Sequence, residues 1–295
     1  MATPDFAPAH SQNALKGVAL VSLAVLLFAA SDTVGKHLAM LYAVPFVLAL
    51  RFLINVGLLA AILGPRHGAA LWRTNRTGLV LLRGLSLVAG SLSMMLALRV
   101  MPVGETVAII YLAPFLVMLV AGRFMGETVT PLGWLAALLG FAGVLLIVRP
   151  GSGLDPLGVA LSLFNALCAT AYHLLSRILA RTETQTAMVF STACIGALTF
   201  TLLAIPTLGG PMPTGIDWLW MAALGILSTL GHFLFTAAYR EAPASLLAPI
   251  NYVHVVWAGL LGWIVFAHVP GAVALAGMAA VVLSGALLAF GARRV

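Results

Sequence analysis

The sequence predicts an all-α polytopic membrane protein whose ten transmembrane helices form two inverted five-helix repeats. Three observations carry that prediction. Hydrophobic residues make up 62% of the chain and charged residues only 8%, with a mean hydropathy of +1.11. A soluble domain carries roughly 25% charged residues, so this chain lacks the polar surface that water requires. Its apolar runs number ten, and at roughly 20 residues per crossing they would occupy about 200 residues and leave short connectors. Finally, the two halves of the chain resemble each other at one constant offset.

In chain order the predicted helices are 17–41, 44–64, 78–98, 102–122, 131–148, 156–180, 185–206, 217–239, 242–267 and 271–291. The segment 1–14 is polar and free of Lys and Arg. The apolar run after it is too long for a cleavable signal, so it is expected to be a retained first helix behind a cytoplasmic N-terminal segment. The long first and ninth runs imply tilt or a partly buried end. Pro45 stands near a helix start, where its missing N–H costs nothing. Pro114 and Pro249 fall inside the fourth and ninth helices, where each frees a backbone carbonyl and is expected to kink its helix.

The net charge is +7, which in a soluble protein would suggest nucleic acid. Here the bases are few, scattered and at helix ends, so no nucleic-acid partner is implied. With the N-terminus inside, eleven of the fifteen Lys and Arg residues fall on the cytoplasmic side: Lys16, Arg66, Arg73, Arg76, Arg83, Arg123, Arg177, Arg181, Arg240, Arg293 and Arg294. Lys36, Arg99 and Arg149 fall outside, and Arg51 lies within a span. That bias predicts a cytoplasmic (inner) membrane protein with both termini cytoplasmic. Cys168 and Cys194, the only cysteines, lie in apolar runs and read as packing residues. No metal-binding, nucleotide or other cofactor motif appears, and no ATPase subunit is implied. Oligomeric state is left open.

A shift of 141 residues lays Gly17-Val18-Ala19-Leu20 on Gly158-Val159-Ala160-Leu161. The same shift aligns Leu38-Ala39 with Leu179-Ala180, Gly84 with Gly225, Arg99 with Arg240, Pro102 with Pro243, Tyr111 with Tyr252 and Leu119 with Leu260. The predicted units are 15–149 and 155–295. Five helices per unit is an odd number, so the second unit must enter the membrane upside down. Inverted repeats are the usual build of secondary transporters, because exchanging the conformations of the two halves turns an outward-open state into an inward-open one. A duplicated scaffold without transport is the alternative.

Several motifs resemble the drug/metabolite transporter superfamily, in particular its ten-helix exporters with two EamA-type repeats. They are Met101-Pro102-Val103-Gly104-Glu105 at the start of helix four, Tyr111-Leu112-Ala113-Pro114 within it, Gly126-Glu127-Thr128 through Pro131, and Gly140-Phe141-Ala142-Gly143-Val144. The resemblance covers about 17–291 and is closest to aromatic amino acid exporters. It implies a central cavity lined mainly by helices 1, 3, 4, 6, 8 and 9, with helices 5 and 10 at the periphery. The second half departs from the pattern, with Leu246 in place of Glu105 and His268 in place of Glu127.

Two groups of residues are candidates for function. Asp32 and Arg51 lie deep in the first two helices, equidistant from the connecting turn, and Lys36 is one turn from Asp32 on the same face. They are expected to form either an ion cluster that clamps the hairpin or a gate that receives a substrate carboxylate. Arg83 and Arg177 lie close enough to helix ends to reach the interface, as does Lys36. The second group is polar and aromatic: Ser228, His232, Phe235 and Tyr239 form one stripe of helix eight, and Asn165, Ala169, Tyr172 and Ser176 one of helix six. Asn251, Tyr252, His254 and Trp257 cluster on helix nine; Tyr111, Phe115 and Met118 share a face of helix four; Ser91 and Met95 come from helix three. Singly, each reads as interhelical packing. Together they describe a cavity suited to a small zwitterion with an apolar side chain, whose ring stacks on aromatic faces while Asn or His binds its polar end.

The sequence-based expectation is export of aromatic or other neutral amino acids by alternating access, with drug or metabolite efflux as the alternative. His173, His232 and His254 are of the side-chain type that can change charge near neutral pH, but nothing in the sequence couples them to protons. An intramembrane enzyme would need a catalytic pair at matched depth, and no such pair stands out.

Overall fold

The computed structural model describes residues 14–124, 130–149, 152–241, 247 and 250–291. Eleven α-helices are named here: α1 (Ala14–Leu41), α2 (Val44–His67), α3 (Thr77–Val100), α4 (Val103–Ile110), α5 (Ala113–Phe124), α6 (Pro131–Val148), α7 (Pro156–Leu179), α8 (Gln185–Ala204), α9 (Asp217–Glu241), α10 (Val253–Phe266) and α11 (Ala272–Gly291). Helices α4 and α5 together make the fourth span, and α10 with the helical Ile250–Asn251 makes the described part of the ninth. Eight stretches are long and apolar enough to cross a bilayer, and Val253–Phe266 and Ala272–Leu287 are shorter apolar helices. The segment 1–13, Gly126–Thr128, Leu246, Pro249 and Arg293–Arg294 lie outside the described residues.

Helix starts obey local chemistry. Thr130, Asp155 and Thr184 each accept a hydrogen bond from the backbone N–H three residues on, at the heads of α6, α7 and α8, which satisfies an otherwise orphan donor. Proline follows in α6 and α7, at the position where it loses no intrahelical bond.

Large apolar side chains point outward and small residues point in. Trp134, Leu135, Leu138, Phe141 and Leu145 are exposed on α6 while Ala136, Gly140 and Gly143 are buried. Lipid solvates leucine as well as protein does, so close approach of backbones drives packing instead. A Cβ on Gly143 would lie 2.7 Å from the Gly277 carbonyl, and one on Gly277 2.6 Å from that of Gly143. Helices α6 and α11 therefore touch backbone to backbone, as a peripheral pair.

The pairing of spans follows the duplication. Span one lies along span eight (α1 with α9), and span three along span six (α3 with α7); exchanging the halves turns the first pair into the second. Spans two and seven (α2 with α8), four and nine (α4 with α10), and five and ten (α6 with α11) each pair with their own counterpart. Two apolar clusters result. One gathers Leu38, Leu48, Phe52, Met95, Phe200 and Leu224 from α1, α2, α3, α8 and α9. The other gathers Val107, Phe115, Ile147, Tyr252, Val255 and Val281 from α4, α5, α6, α10 and α11. Each bundle thus takes helices from both halves. The side on which α1 begins and α11 ends is called the terminal side below, and the opposite one the far side.

Candidate functional site

At the centre of the molecule the fourth and ninth spans are both interrupted, at positions 141 residues apart. Helix α4 ends at Ile110, Tyr111 and Leu112 form a turn, and α5 starts at Ala113. Pro114 sits in the first turn of α5, where it has no N–H to give to the carbonyl of Ile110, and the expected kink takes the form of a tightened turn bridged by Leu112 N–H to Ile109 O at 3.0 Å and Phe115 N–H to Leu112 O at 3.1 Å. Its counterpart is the turn at Tyr252 between Asn251 and Val253; Pro249, the proline expected to cause it, lies outside the described residues. The breaks face each other. The rings of Tyr111 and Tyr252 lie 4.9 Å apart, and the Tyr111 hydroxyl donates to the Asn251 carbonyl at 2.6 Å. A carbonyl released from its helix is thereby satisfied inside the membrane. Tyr252 is buried against Gly285 and close to Phe115, and its hydroxyl has no hydrogen-bond partner among the described residues.

Beside this crossing, His254 Nε2 lies 3.1 Å from Asp32 Oδ2. The pair joins α1, of one bundle, to α10, of the other. The ring of Phe28, one helical turn before Asp32, stands 4.9 Å from His232 edge to face, 6.1 Å from Phe235 and 6.3 Å from His254. Tyr111 is 5.9 Å from His254. Aromatic rings and one carboxylate–imidazole pair therefore share one wall.

His232 is exposed, yet it lies on the side of α9 opposite the lipid-facing Leu219, Ile226 and Leu230. His173 is likewise exposed opposite Leu157, Phe164, Leu167 and Ile178 on α7. Both histidines stand in the terminal-side halves of their helices. Polar contacts cross-link the helices on the far side. Lys36 Nζ donates to the carbonyls of Leu98 and Met101, both at 2.6 Å, and lies over the Phe266 ring. Glu105, buried, pairs with His268 at 2.9 Å, and the Tyr42 hydroxyl donates to Asp217 at 2.5 Å. A separate cavity of about 210 Å³ lies at this end beside Lys36, Arg99 and His268.

The expected Asp32–Lys36–Arg51 cluster is split three ways. Asp32 turns to His254, Lys36 to the last turn of α3, and Arg51 to Ser228, which accepts from Nε at 3.3 Å and Nη2 at 2.9 Å. The reason is topological: α1 barely touches α2 and lies along α9 instead, so the assumption of a packed hairpin fails although the two residues share a depth. Next to Arg51, the Asn55 amide donates to Thr229 Oγ1, Gly225 O and Arg51 O, fastening α2 to α9.

Other expected lining residues divide. Tyr111, His232, Phe235, Asn251 and His254 come together at the crossing. Met95 packs on Gly35 of α1 and Phe115 on Gly140 of α6, both buried. Trp257 packs partly buried against the second apolar cluster, and Ser91 is half-buried on α3. Tyr172 faces Arg83. Arg83 itself corrects the sequence reading: it does not extend to the interface but is 4% exposed, held by Ser176 Oγ (2.6 Å), Tyr172 Oη (2.6 Å), Thr192 Oγ1 (2.7 Å) and the Met188 carbonyl (3.0 Å). Its depth suggested an escape to water, but α7 and α8 cover α3 at that level. The hydroxyls of Ser176 and Thr192, each near a terminal-side helix end, were the only signal in the sequence.

The comparisons with known proteins agree with this architecture. The EamA-like transporter family matches twice, over residues 15–149 and 156–290. A riboflavin transporter of Rhizobium johnstonii is 28% identical over 93% of this chain and 91% of its own. The pseudopaline exporter of Pseudomonas aeruginosa is 26% identical over 91% of this chain and 94% of its own. A solved crystal structure at 24% identity superposes with a TM-score of 0.66, covering 97% of this chain and 100% of that one, which speaks for the fold alone. The duplicated helical architecture and the doubled match place the chain in the EamA-like transporter family, as a multi-pass membrane transporter of small molecules.

Proposed function

We propose that the protein moves small amphipathic metabolites with a flat ring and a charge-balanced polar end, aromatic amino acids first among them, by alternating access between the two bundles. The units are 15–149 and 155–295, with both termini cytoplasmic in keeping with the Lys and Arg bias, and net movement is export. The carrying observation is the pair of opposed helix breaks at Tyr111 and Tyr252, next to an Asp32–His254 contact that spans both bundles. Broken helices that meet at mid-membrane present backbone groups to a substrate. Phe28, Phe235 and Tyr111 offer faces for a ring, while Asp32 and His254 supply an acceptor and a donor for an ammonium and a carboxylate. Rocking about the crossing would open the Lys36 closure on one side as the histidine-lined space shuts on the other.

A second reading, a flavin-type heterocycle, is favoured by the naming of the Rhizobium relative as a riboflavin transporter. Purified protein in liposomes separates the two. Uptake of labelled phenylalanine or tryptophan, competed by other apolar amino acids, supports the first reading; riboflavin uptake without amino acid uptake replaces it with the second.

A further inference from the structure

Arg83 is a buried cation held entirely by neutral groups. Among the described residues no carboxylate lies within ion-pair distance of it, and its four partners are three hydroxyls and a carbonyl. The Ser176 hydroxyl is already committed as a donor to the Tyr172 carbonyl at 2.6 Å, and that of Thr192 to the Met188 carbonyl at 2.8 Å. They can only accept from the guanidinium, and they bring no negative charge. A guanidinium in a membrane interior is costly unless paired, so this arrangement is built but electrostatically incomplete.

Its open valences point to what completes it. Arg83 has five N–H groups, and the four bonds above leave one on Nη2, the nitrogen that bonds Tyr172. Tyr172 Oη accepts that bond, so its own proton remains to be given. Two adjacent donors, one charged and one phenolic, match the two oxygens of a carboxylate. Tyr172 is partly exposed, and the exposed His173 ring lies 5.6 Å from it on the face of α7 opposite Phe164 and Leu167. Among the described residues, Arg51, Arg83 and Lys36 stand buried or half-buried in the spans against Asp32 and Glu105, which leaves one positive charge.

We propose that Arg83 and Tyr172, with His173 at the rim, form a carboxylate-binding subsite on the terminal-side approach to the central cavity. Arg83 is six residues into α3, about 9 Å along the helix at 1.5 Å per residue. Asp32 is eighteen residues into α1, about 27 Å by the same measure. The subsite is thus a distinct station, one that captures aryl carboxylates and repels their amine analogues before they reach the Asp32–His254 pair. It rests on the reading that the space between the bundles is the transport path.

The test uses the full-length protein in detergent, with 3-phenylpropanoate and phenethylamine as probes, and follows binding by ligand-induced thermal stabilisation. Arg83→Lys keeps the charge but loses the fork, and Tyr172→Phe removes only the hydroxyl. The expected result is stabilisation by 3-phenylpropanoate and none by phenethylamine, with an apparent Kd raised about tenfold in either variant, the loss of one charge-assisted hydrogen bond. Equal stabilisation by acid and amine, unchanged affinity in Tyr172→Phe, or no response of the wild type to 3-phenylpropanoate at millimolar concentration overturns the proposal. Carboxylate binding without phenylalanine transport would retire the amino acid reading and leave the subsite standing; phenylalanine transport without carboxylate selectivity would do the reverse. Should Arg83→Lys not fold, Tyr172→Phe alone decides, since it leaves the cation in place.

Discussion

Tyr111 and Tyr252 occupy equivalent positions in the two halves and meet ring to ring at 4.9 Å, yet only one of their hydroxyls is satisfied. Tyr111 donates to the Asn251 carbonyl, while the Tyr252 hydroxyl, buried against Gly285, has no partner among the described residues. A duplicated sequence has therefore been used asymmetrically at its own axis, and the two phenols have opposite energetic signs.

Tyr111→Phe removes a donor and strands a carbonyl, so it should lower stability by about 1 kcal/mol and reduce flux. Tyr252→Phe deletes an unsatisfied hydroxyl and should be neutral or slightly stabilising. Thermal melting of the two purified variants checks the contrast; equal losses would mean that the hydroxyl pattern described here is wrong.

Asp32→Asn leaves the shape of the site intact but weakens the tie between α1 and α10 and removes the counter-charge to Arg51. Flux should fall about tenfold or more with protein abundance in the membrane little changed. His254→Ala should act in the same direction. Transport assays normalised to the amount of folded protein distinguish this from packing damage, which would lower abundance and flux together.

Gly277→Ala places a methyl group 2.6 Å from the Gly143 carbonyl, and backbone cannot step aside as a side chain can. Stability should fall by about 1–3 kcal/mol. Since α6 and α11 form a peripheral pair, flux per folded molecule should be unchanged. A proportionate loss of specific activity would instead bring these helices into the transport path.

Outside the spans, the hydrogen bond from Tyr42 to Asp217 holds the phenol above its usual pKa, helped by desolvation. A raised folded-state value means that the neutral phenol is the form the fold favours. The contribution is then complete below about pH 10, the ordinary tyrosine value, and is lost as pH rises through the folded-state value. The difference in melting temperature between the wild type and Tyr42→Phe should hold steady from about pH 6 to 9 and shrink above about pH 10. A difference that shrinks below pH 8 would contradict it.

Much of the fold was legible because it depends on local and periodic signals: apolar run lengths, capping Thr and Asp residues, and an offset shared by residues as distant as Gly17 and Leu119. Pro114 announced a disruption in span four, and the 141-residue offset marked Tyr111 and Tyr252 as equivalent positions, though not that their rings would meet. Partner choice was harder to read. Asp32 and Arg51 do share a depth, but side chains follow the helix they pack on, and α1 packs on α9 from the other half. Arg83 was misjudged for the same reason: distance to a helix end says how far a side chain must reach, not whether a neighbouring helix stands in the way. Met95 and Phe115 lie on faces that periodicity alone assigns equally well to a cavity or to a glycine across the interface, and Gly35 and Gly140 settle where they go.

Alternating access is measured most directly by counterflow. Liposomes holding the protein are preloaded with unlabelled phenylalanine at high concentration and diluted into a trace of labelled phenylalanine. A single cavity that faces one side at a time predicts a transient overshoot of label inside, absent in liposomes without protein and lost in Asp32→Asn. Label that only climbs to equilibrium, with no overshoot despite clear flux, would show a continuous passage instead and contradict two bundles rocking about the Tyr111–Tyr252 crossing.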